Sequence, residues 1–296
     1  MRAHRDWKLQ RLLSAAAVVA TVAIVVVPTA SGFPAPPPGA IVYSRELGPD
    51  ALALGVVPEK GRVLAQVSVL GSQGQGVRGM RVAVGVGGGA PRPALACGAG
   101  CYRATLAVRA RPTNVVVVLD GTRWSVSMPA SWPPADGAAL MARVGRAWHS
   151  LRSLSYVDRL ASGPGQSVLS TWQIQAPDRL SYQVWGGGDS VIIGDKRWSR
   201  AAGGRSWVET RQLPVKQPVP FWVSVADAHV LGTATVDGEP TLNVSFFDPG
   251  TPGWFAITID QATMLPLSMH MIATDHFMYD SYGQFNSTPT IVPPQR

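Results

Sequence analysis

Ionised side chains are scarce in this chain. Lys, Arg, Asp and Glu make up 15% of its 296 residues, well below the usual quarter. The 18 acids are scattered. Asp178, Asp189, Asp195, Asp237, Asp248 and Asp260 fall at turns, where turn geometry and strand-end capping account for them. There is no HExxH, no GxSxG elbow, and no lysine in Walker spacing behind the glycine-rich stretches. Besides His4, the histidines are His149, His229, His270 and His276, and their spacing supports no Ser–His–Asp set. These absences argue against an enzyme. No run of Lys and Arg forms a stripe, so nucleic acid is not expected as a partner. Only two cysteines occur, Cys97 and Cys101 in CGAGC, with no histidine near them in sequence. A metal site there lacks ligands, and a disulfide in an oxidising compartment is the reading.

The N-terminus supplies that compartment. MRAHRDWKLQR is basic, LLSAAAVVATVAIVVV is an apolar run of about 16 residues, and PTASG offers small residues for cleavage. Residues 1–32 read as a secretory signal, in preference to an uncleaved signal anchor with the cytoplasm on the Arg side. Either way the bulk of the chain is extracytoplasmic, secreted or anchored at the outer face of the cytoplasmic membrane. No cysteine follows the run, which excludes a lipid-modified N-terminal cysteine. Arg2, Arg5, Lys8 and Arg11 against Asp6 contribute +3 of the total +8, leaving +5 for the rest, a balance that favours an anionic membrane surface.

Glycine (31) and proline (25) are abundant, which suits short strands joined by turns better than a helical bundle. The proline-rich stretch FPAPPPGA marks a linker over 33–44. Over 45–130, segments such as ALALGVV, RVLAQVSVLG, GVRGMRVAVGV and NVVVVLDG alternate between glycine clusters, predicting a β-sandwich of immunoglobulin-like type. A second linker spans 131–136. From Gly137 to Leu154, the residues Leu140, Met141, Val144, Ala147, Trp148, Leu151 and Leu154 recur at three and four, predicting a helix with Asp136 as its cap. Strand and hairpin signals then continue to residue 293, so 137–293 reads as an α+β domain with one helix across a curved antiparallel sheet. Its aromatic rings are the candidate lining of an apolar pocket: Trp172, Tyr182, Trp185, Trp198, Trp207, Trp222, Phe246, Trp254 and Phe255, joined by Met269 and Met271.

VIIGDKRWSR, VDGEPTLNVSFFDPGTPGWFAITID and HFMYDSYGQFN resemble the LolA-like domain of bacterial lipoprotein carriers. More specifically, the chain resembles the extracytoplasmic region of CopD-type proteins, where a YtkA/FixH-like sandwich, similar to VLGSQGQGVRGMRVAV and CGAGCYRATL here, precedes a LolA-like part. The resemblance implies an all-β immunoglobulin-like sandwich followed by a LolA-like half-barrel. It also implies a lipid or acyl ligand, or a lipoprotein, held at the cell envelope. The multi-span domain that would carry copper is not in this sequence, so copper transport does not follow. The resemblance and the segment MHMIATDHFM keep copper in view, with Met269, Met271, His276 and Met278 as candidate ligands. Read as one straight strand, however, the segment puts Met269 and Met271 with Phe277 and Tyr279 on one face. His270, His276 and Met278 take the other, the two histidines about 20 Å apart. Only a bend at Thr274–Asp275 would gather a ligand set. The expected function is therefore a non-enzymatic binding protein for a hydrophobic ligand that docks to an envelope membrane protein. The alternatives are an accessory copper protein and a peptide-binding envelope sensor. The sequence sets no oligomeric state.

Overall fold

The computed structural model describes residues 35–295, apart from 48–49, 72–74, 164–165 and 274–275. The expected signal over 1–32 lies outside the described residues. Residues Phe33–Arg296 form one compact unit.

Apolar alternation builds two antiparallel sheets in the first part. One runs in the order β1 (Ile41–Leu47), β2 (Asp50–Glu59), β3 (Arg62–Leu70), β7 (Cys101–Ala107), β6 (Leu95–Gly98). The other runs β5 (Arg92–Pro93), β4 (Val82–Val86), β8 (Asn114–Leu119), β9 (Thr122–Ser127). Leu52, Leu54, Val63, Val67, Val84, Val115, Val117 and Trp124 fill one core between them. Cys97 and Cys101 are disulfide-bonded, as expected. Their loop lies against β3, with the Val69 N–H donating to the Gly100 carbonyl at 2.7 Å. Gly100 has φ +67°, and a Cβ there would stand 2.4 Å from the Val69 carbonyl, so only glycine fits this approach.

A twelve-stranded antiparallel sheet makes the second part. Its order is β10 (Ala135–Asp136), β17 (Ala226–Val236), β18 (Glu239–Asp248), β19 (Gly253–Asp260), β20 (Pro266–Ala273), β21 (His276–Gly283), β11 (Ser153–Gly163), β12 (Gln166–Gln175), β13 (Arg179–Val184), β14 (Asp189–Ile193), β15 (Lys196–Arg200), β16 (Val208–Arg211). Helix α1 (Ala138–His149) packs on its inner face through Met141, Val144 and Trp148. The N-cap is Gly137, with no capping side chain, where Asp136 was expected; Asp136, one residue earlier, accepts the Ala138 N–H at 2.8 Å. The helix is shorter than its stripe suggests. Ser150 closes it, its hydroxyl donating to the Ala147 carbonyl. Leu151 and Leu154 are buried beyond it, Leu154 within β11. Among the described residues no helix is long and apolar enough to cross a membrane.

The first part does not stand apart from the second. Ala40, Val42, Ala51, Ala53 and Leu70 pack against Ala161, Phe247, Trp254, Ile272 and Phe277 on the outer face of the large sheet. Strand β2 is therefore buried on both sides. Leu52 and Leu54 fill the sandwich core while Ala51 and Ala53 admit the large rings from the other side. This is why ALALGVV is an almost unbroken apolar run rather than an alternating one. Polar contacts fix the same interface. Arg159 holds Glu46 through two bonds of 2.9 and 3.1 Å, and Ser44 Oγ lies 3.0 Å from His270 Nδ1. The two segments expected as linkers also take part in the fold. Ile41, expected in the first, opens β1, and Ala135–Asp136, expected in the second, pairs with β17.

Strands β16 and β17 stand ten spacings apart in the large sheet, about 48 Å if it were flat. Residues 212–225 join them, and 14 residues reach at most about 48 Å. The segment crosses the inner side of the sheet as a strap, since its apolar residues pack on the inner core. Gln212 N–H donates to the Asp195 carbonyl and Gln217 N–H to the Pro177 carbonyl, tying down one end. At the other end the buried Asp248 accepts from Val223 N–H at 2.7 Å, Ser224 N–H at 3.1 Å and Ser224 Oγ at 2.8 Å. Between these ties, Val215, Phe221 and Trp222 turn inward onto the core.

Candidate functional site

Antiparallel register arranges the inner face of the large sheet in rows of Cα partners. One row is aromatic: Tyr282, Tyr156, Trp172 and Tyr182. Tyr156 stacks on Trp172 at 5.7 Å between centroids, and Trp172 on Tyr182 at 4.4 Å. The row ends on a polar shelf. Arg197 donates to the Tyr182 hydroxyl at 2.7 Å, to Ser199 Oγ at 3.0 Å and to Ser190 Oγ at 3.3 Å. A second row is apolar: Phe246, Phe255, Met271, Met278 and Leu160. Between them runs a row of Ile257, Met269, Asp280, Asp158 and Ser170.

The cover over these rows is slight. Trp148 of α1 meets Tyr282 edge-on at 5.3 Å and Trp222 at 6.0 Å. Phe221 stands edge-on to Tyr156 at 5.8 Å. Over Tyr156 and Trp172 the roof is the strap, which has no strand or helix pairing of its own. Trp172, Leu160, Val184 and Phe221 are only partly buried there. The result is an apolar and aromatic surface with an arginine at one end, closed by a segment held at two points.

Asp158 and Asp280 are buried in this surface and face one another as Cα partners. Burial pushes Asp158 up to about 6, against the pull of its bonds to Asp280 and Ser170. Burial, then the charge of Asp158, pushes Asp280 well above the ordinary carboxylate range. Tyr282 donates to Asp280 Oδ2 at 2.7 Å, and Trp172 Nε1 donates to Ser170 Oγ, whose hydroxyl reaches Asp158 at 3.5 Å. Each acid keeps one oxygen, Oδ1, with no hydrogen-bond partner among the described residues. A proton held between the two carboxyls satisfies both. Such a pair resembles a catalytic dyad in chemistry, but both carboxyls lie beneath side chains and away from water.

The sequence-based pocket residues divide. Tyr182, Trp222, Phe246, Phe255, Met269 and Met271 belong to the inner core, and Trp172 packs against it. Trp254 does not. It is buried on the outer face, against the first part. Trp185 is exposed beyond the end of β13, its Nε1 donating to Thr171 Oγ1 on the outer side. Trp198 faces outward too, with Nε1 donating to Glu209. Trp207 lies under the Arg200 guanidinium, 4.7 Å away. Alternation decides these fates. Trp254, next to the inward Phe255, must point outward.

The straight strand through MHMIATDHFM is replaced by two strands. Thr274–Asp275, where a copper site would have needed a bend, lie outside the described residues, but β20 and β21 on either side pair antiparallel, with Ala273 opposite His276 and Met271 opposite Met278. Parity inverts across the hairpin. Met278 joins Met269 and Met271 on the inner face, while Phe277 turns outward with Ile272. His270 lies outward against Ser44, and His276 has the parity of the inner face. The three methionines are buried among Phe255, Ile257 and Tyr282 as core. Among the described residues no group of three or more His, Cys, Asp or Glu side chains is placed to hold a metal ion.

Sequence reasoning missed Tyr156, Tyr282, Phe221, Arg197 and the two aspartates of this surface. A signal for the acids existed. In SYVDRL and FMYDSYG each Asp shares parity with an aromatic or apolar residue two positions away, which on a half-buried strand puts it inside.

No family model matches the chain, and no curated protein matches it. Among solved structures it is similar to the lipoprotein LppX of Mycobacterium tuberculosis, at 12% identity and a TM-score of 0.40 over 52% of this chain and 97% of that one. It is also similar to a LolA superfamily protein of Nitrosomonas europaea, at 8% identity and a TM-score of 0.25, covering 53% of this chain and 95% of the other. A lipoprotein-sorting domain from Vibrio parahaemolyticus gives 9% identity and a TM-score of 0.25 over 51% and 93%.

Proposed function

We propose that the protein is a non-enzymatic, extracytoplasmic binding protein that holds an acyl chain between the inner face of the large sheet and the strap. The observation that carries this reading is the mismatch between surface and cover. The aromatic row of Tyr156, Trp172 and Tyr182 is roofed by a segment without regular structure, anchored at its ends and inserted through Phe221 and Trp222. Withdrawing those rings opens an apolar channel without breaking any strand pairing, the kind of gating a loop can supply. Arg197 at the end of the row suits an anionic headgroup such as a carboxylate or phosphate. The resemblance of the sequence to LolA-like domains and the Cys97–Cys101 disulfide fit a carrier in the oxidising space outside the cytoplasm.

Native mass spectrometry of protein purified from its own membrane tests the reading, alongside titration with a fluorescent fatty acid. A bound mass in the range of an acyl lipid is expected. So is saturable probe uptake that weakens by about tenfold in Trp172→Ala. A protein that carries no such mass and takes up no probe would sink it.

A further inference from the structure

The strap has an outer side that the carrier reading does not use. Leu213 is 84% exposed, Val223 76% and Val219 50%, all within one stretch of 11 residues. Aliphatic side chains this exposed on a segment tied at both ends cannot retreat into the core, because the inward positions are already taken by Val215, Phe221 and Trp222. No acidic residue occurs between 212 and 225, and Lys216 is exposed among them. The glutamate that precedes the strap, Glu209, is occupied by Trp198 Nε1 and by Lys196 at 3.6 Å. Aliphatic tips beside a lysine, with no acid between, form the pattern of a segment that enters the headgroup region of a bilayer. The +5 carried outside residues 1–32 adds attraction toward anionic lipid.

The start of the described chain lies at the same place. Gly39 N–H donates to Asp227 Oδ2 at 2.8 Å, two residues beyond the strap. In any form that keeps the apolar N-terminal run, seven residues, 28–34, separate that run from Ala35, whose carbonyl accepts from Gln66 Nε2 at 2.9 Å. Seven residues reach about 25 Å at full extension.

We infer that the outer side of residues 212–225 is a docking surface for a lipid bilayer with anionic headgroups, with Leu213, Val219 and Val223 as its inserting residues. This holds whatever the inner face binds, since none of the three touches the inner core.

Amide hydrogen exchange on the full-length chain tests it locally, so that binding through the N-terminus does not mask the result. The protein is compared in buffer, with phosphatidylcholine vesicles, and with vesicles containing about one-third phosphatidylglycerol. Exchange at 212–225 should slow by about tenfold on the anionic vesicles. The slowing should vanish in Leu213→Asp/Val219→Asp/Val223→Asp and weaken in Lys216→Glu, with β18–β21 still protected in both variants. Three outcomes would overturn the inference. One is unchanged exchange at 212–225 on anionic vesicles. Another is slowing that survives the triple substitution. The third is slowing that follows protein concentration without vesicles, which would make the strap a contact between two copies.

Discussion

Asp158 and Asp280 are buried directly opposite one another on β11 and β21. Two charges there would repel in a medium that solvates neither, so the fold keeps at least one proton on the pair. Both acids have a folded pKa above the unfolded value near 3.9. The folded state therefore binds more protons than the unfolded one above pH 4. The stability this confers is full below about pH 4 and is lost as pH rises through 6 and beyond.

Asp280→Asn should remove most of that dependence, because an amide can donate to Asp158 without titrating. Relative to wild type, the variant should gain stability steadily between pH 4 and pH 8. Urea midpoints at four or five pH values measure it. A difference between the two proteins that does not change with pH would refute the shared proton.

His270 carries the opposite sign. Burial at the interface, helped by the Arg159 charge and opposed by Glu46, lowers its pKa to about 4. A lowered folded pKa means the neutral ring is stabilising above about pH 6.5, and that stability is lost as pH falls toward 4. His270→Gln should be less stable than wild type at pH 7, where it loses ring packing beside Tyr279. That deficit should shrink or reverse by pH 4.5. Because Ser44 lies on β1, wild-type protection of β1 amides should fall first on acidification, ahead of β3. Uniform loss across the chain would argue against a local cause.

The contact between the first part and the large sheet depends on small residues meeting large ones. Ala53→Leu inserts bulk into a cluster that already holds Trp254, Phe247 and Phe277 with no exposure to spare. Overpacking of this kind costs about 1–3 kcal/mol. Thermal melts should show that loss while the disulfide stays formed. A neutral result would mean that the interface relaxes and that the alanines are not what sets the spacing.

Much of the architecture was legible because period-two alternation is written directly into the strands, and the helix announced itself through Met141, Val144 and Trp148. What could not be read was which face of a strand met what. Trp254 and Phe255 are adjacent and equally apolar, yet one faces the first part and the other the inner core. Nothing local separates them, because both faces of β19 are covered. MHMIATDHFM failed for a different reason. Thr274 and Asp275 are weak turn formers, so composition did not mark a two-residue connection that inverts the parity of everything after it. The strap was invisible for a topological reason, since only the strand order reveals that residues 212–225 bridge opposite edges.

Asp248 is the point at which the strap and the carrier reading can be tested together. It is wholly buried at the end of β18 and accepts from Val223, Ser224 and Gly250 N–H groups as well as the Ser224 hydroxyl. Asp248→Ala leaves those donors without an acceptor, a loss of about 1–3 kcal/mol. The greater part should fall on residues 221–225, whose amides should exchange faster while β19 and β20 keep their protection. Trp222 lies between that anchor and Trp148, so freeing the anchor loosens the ring that closes the inner face. A fluorescent fatty acid should then associate and dissociate faster in Asp248→Ala, with a smaller change in affinity than in Trp172→Ala, because the lining rows are intact. Equal rates in the variant and wild type would show that entry does not pass beneath the strap.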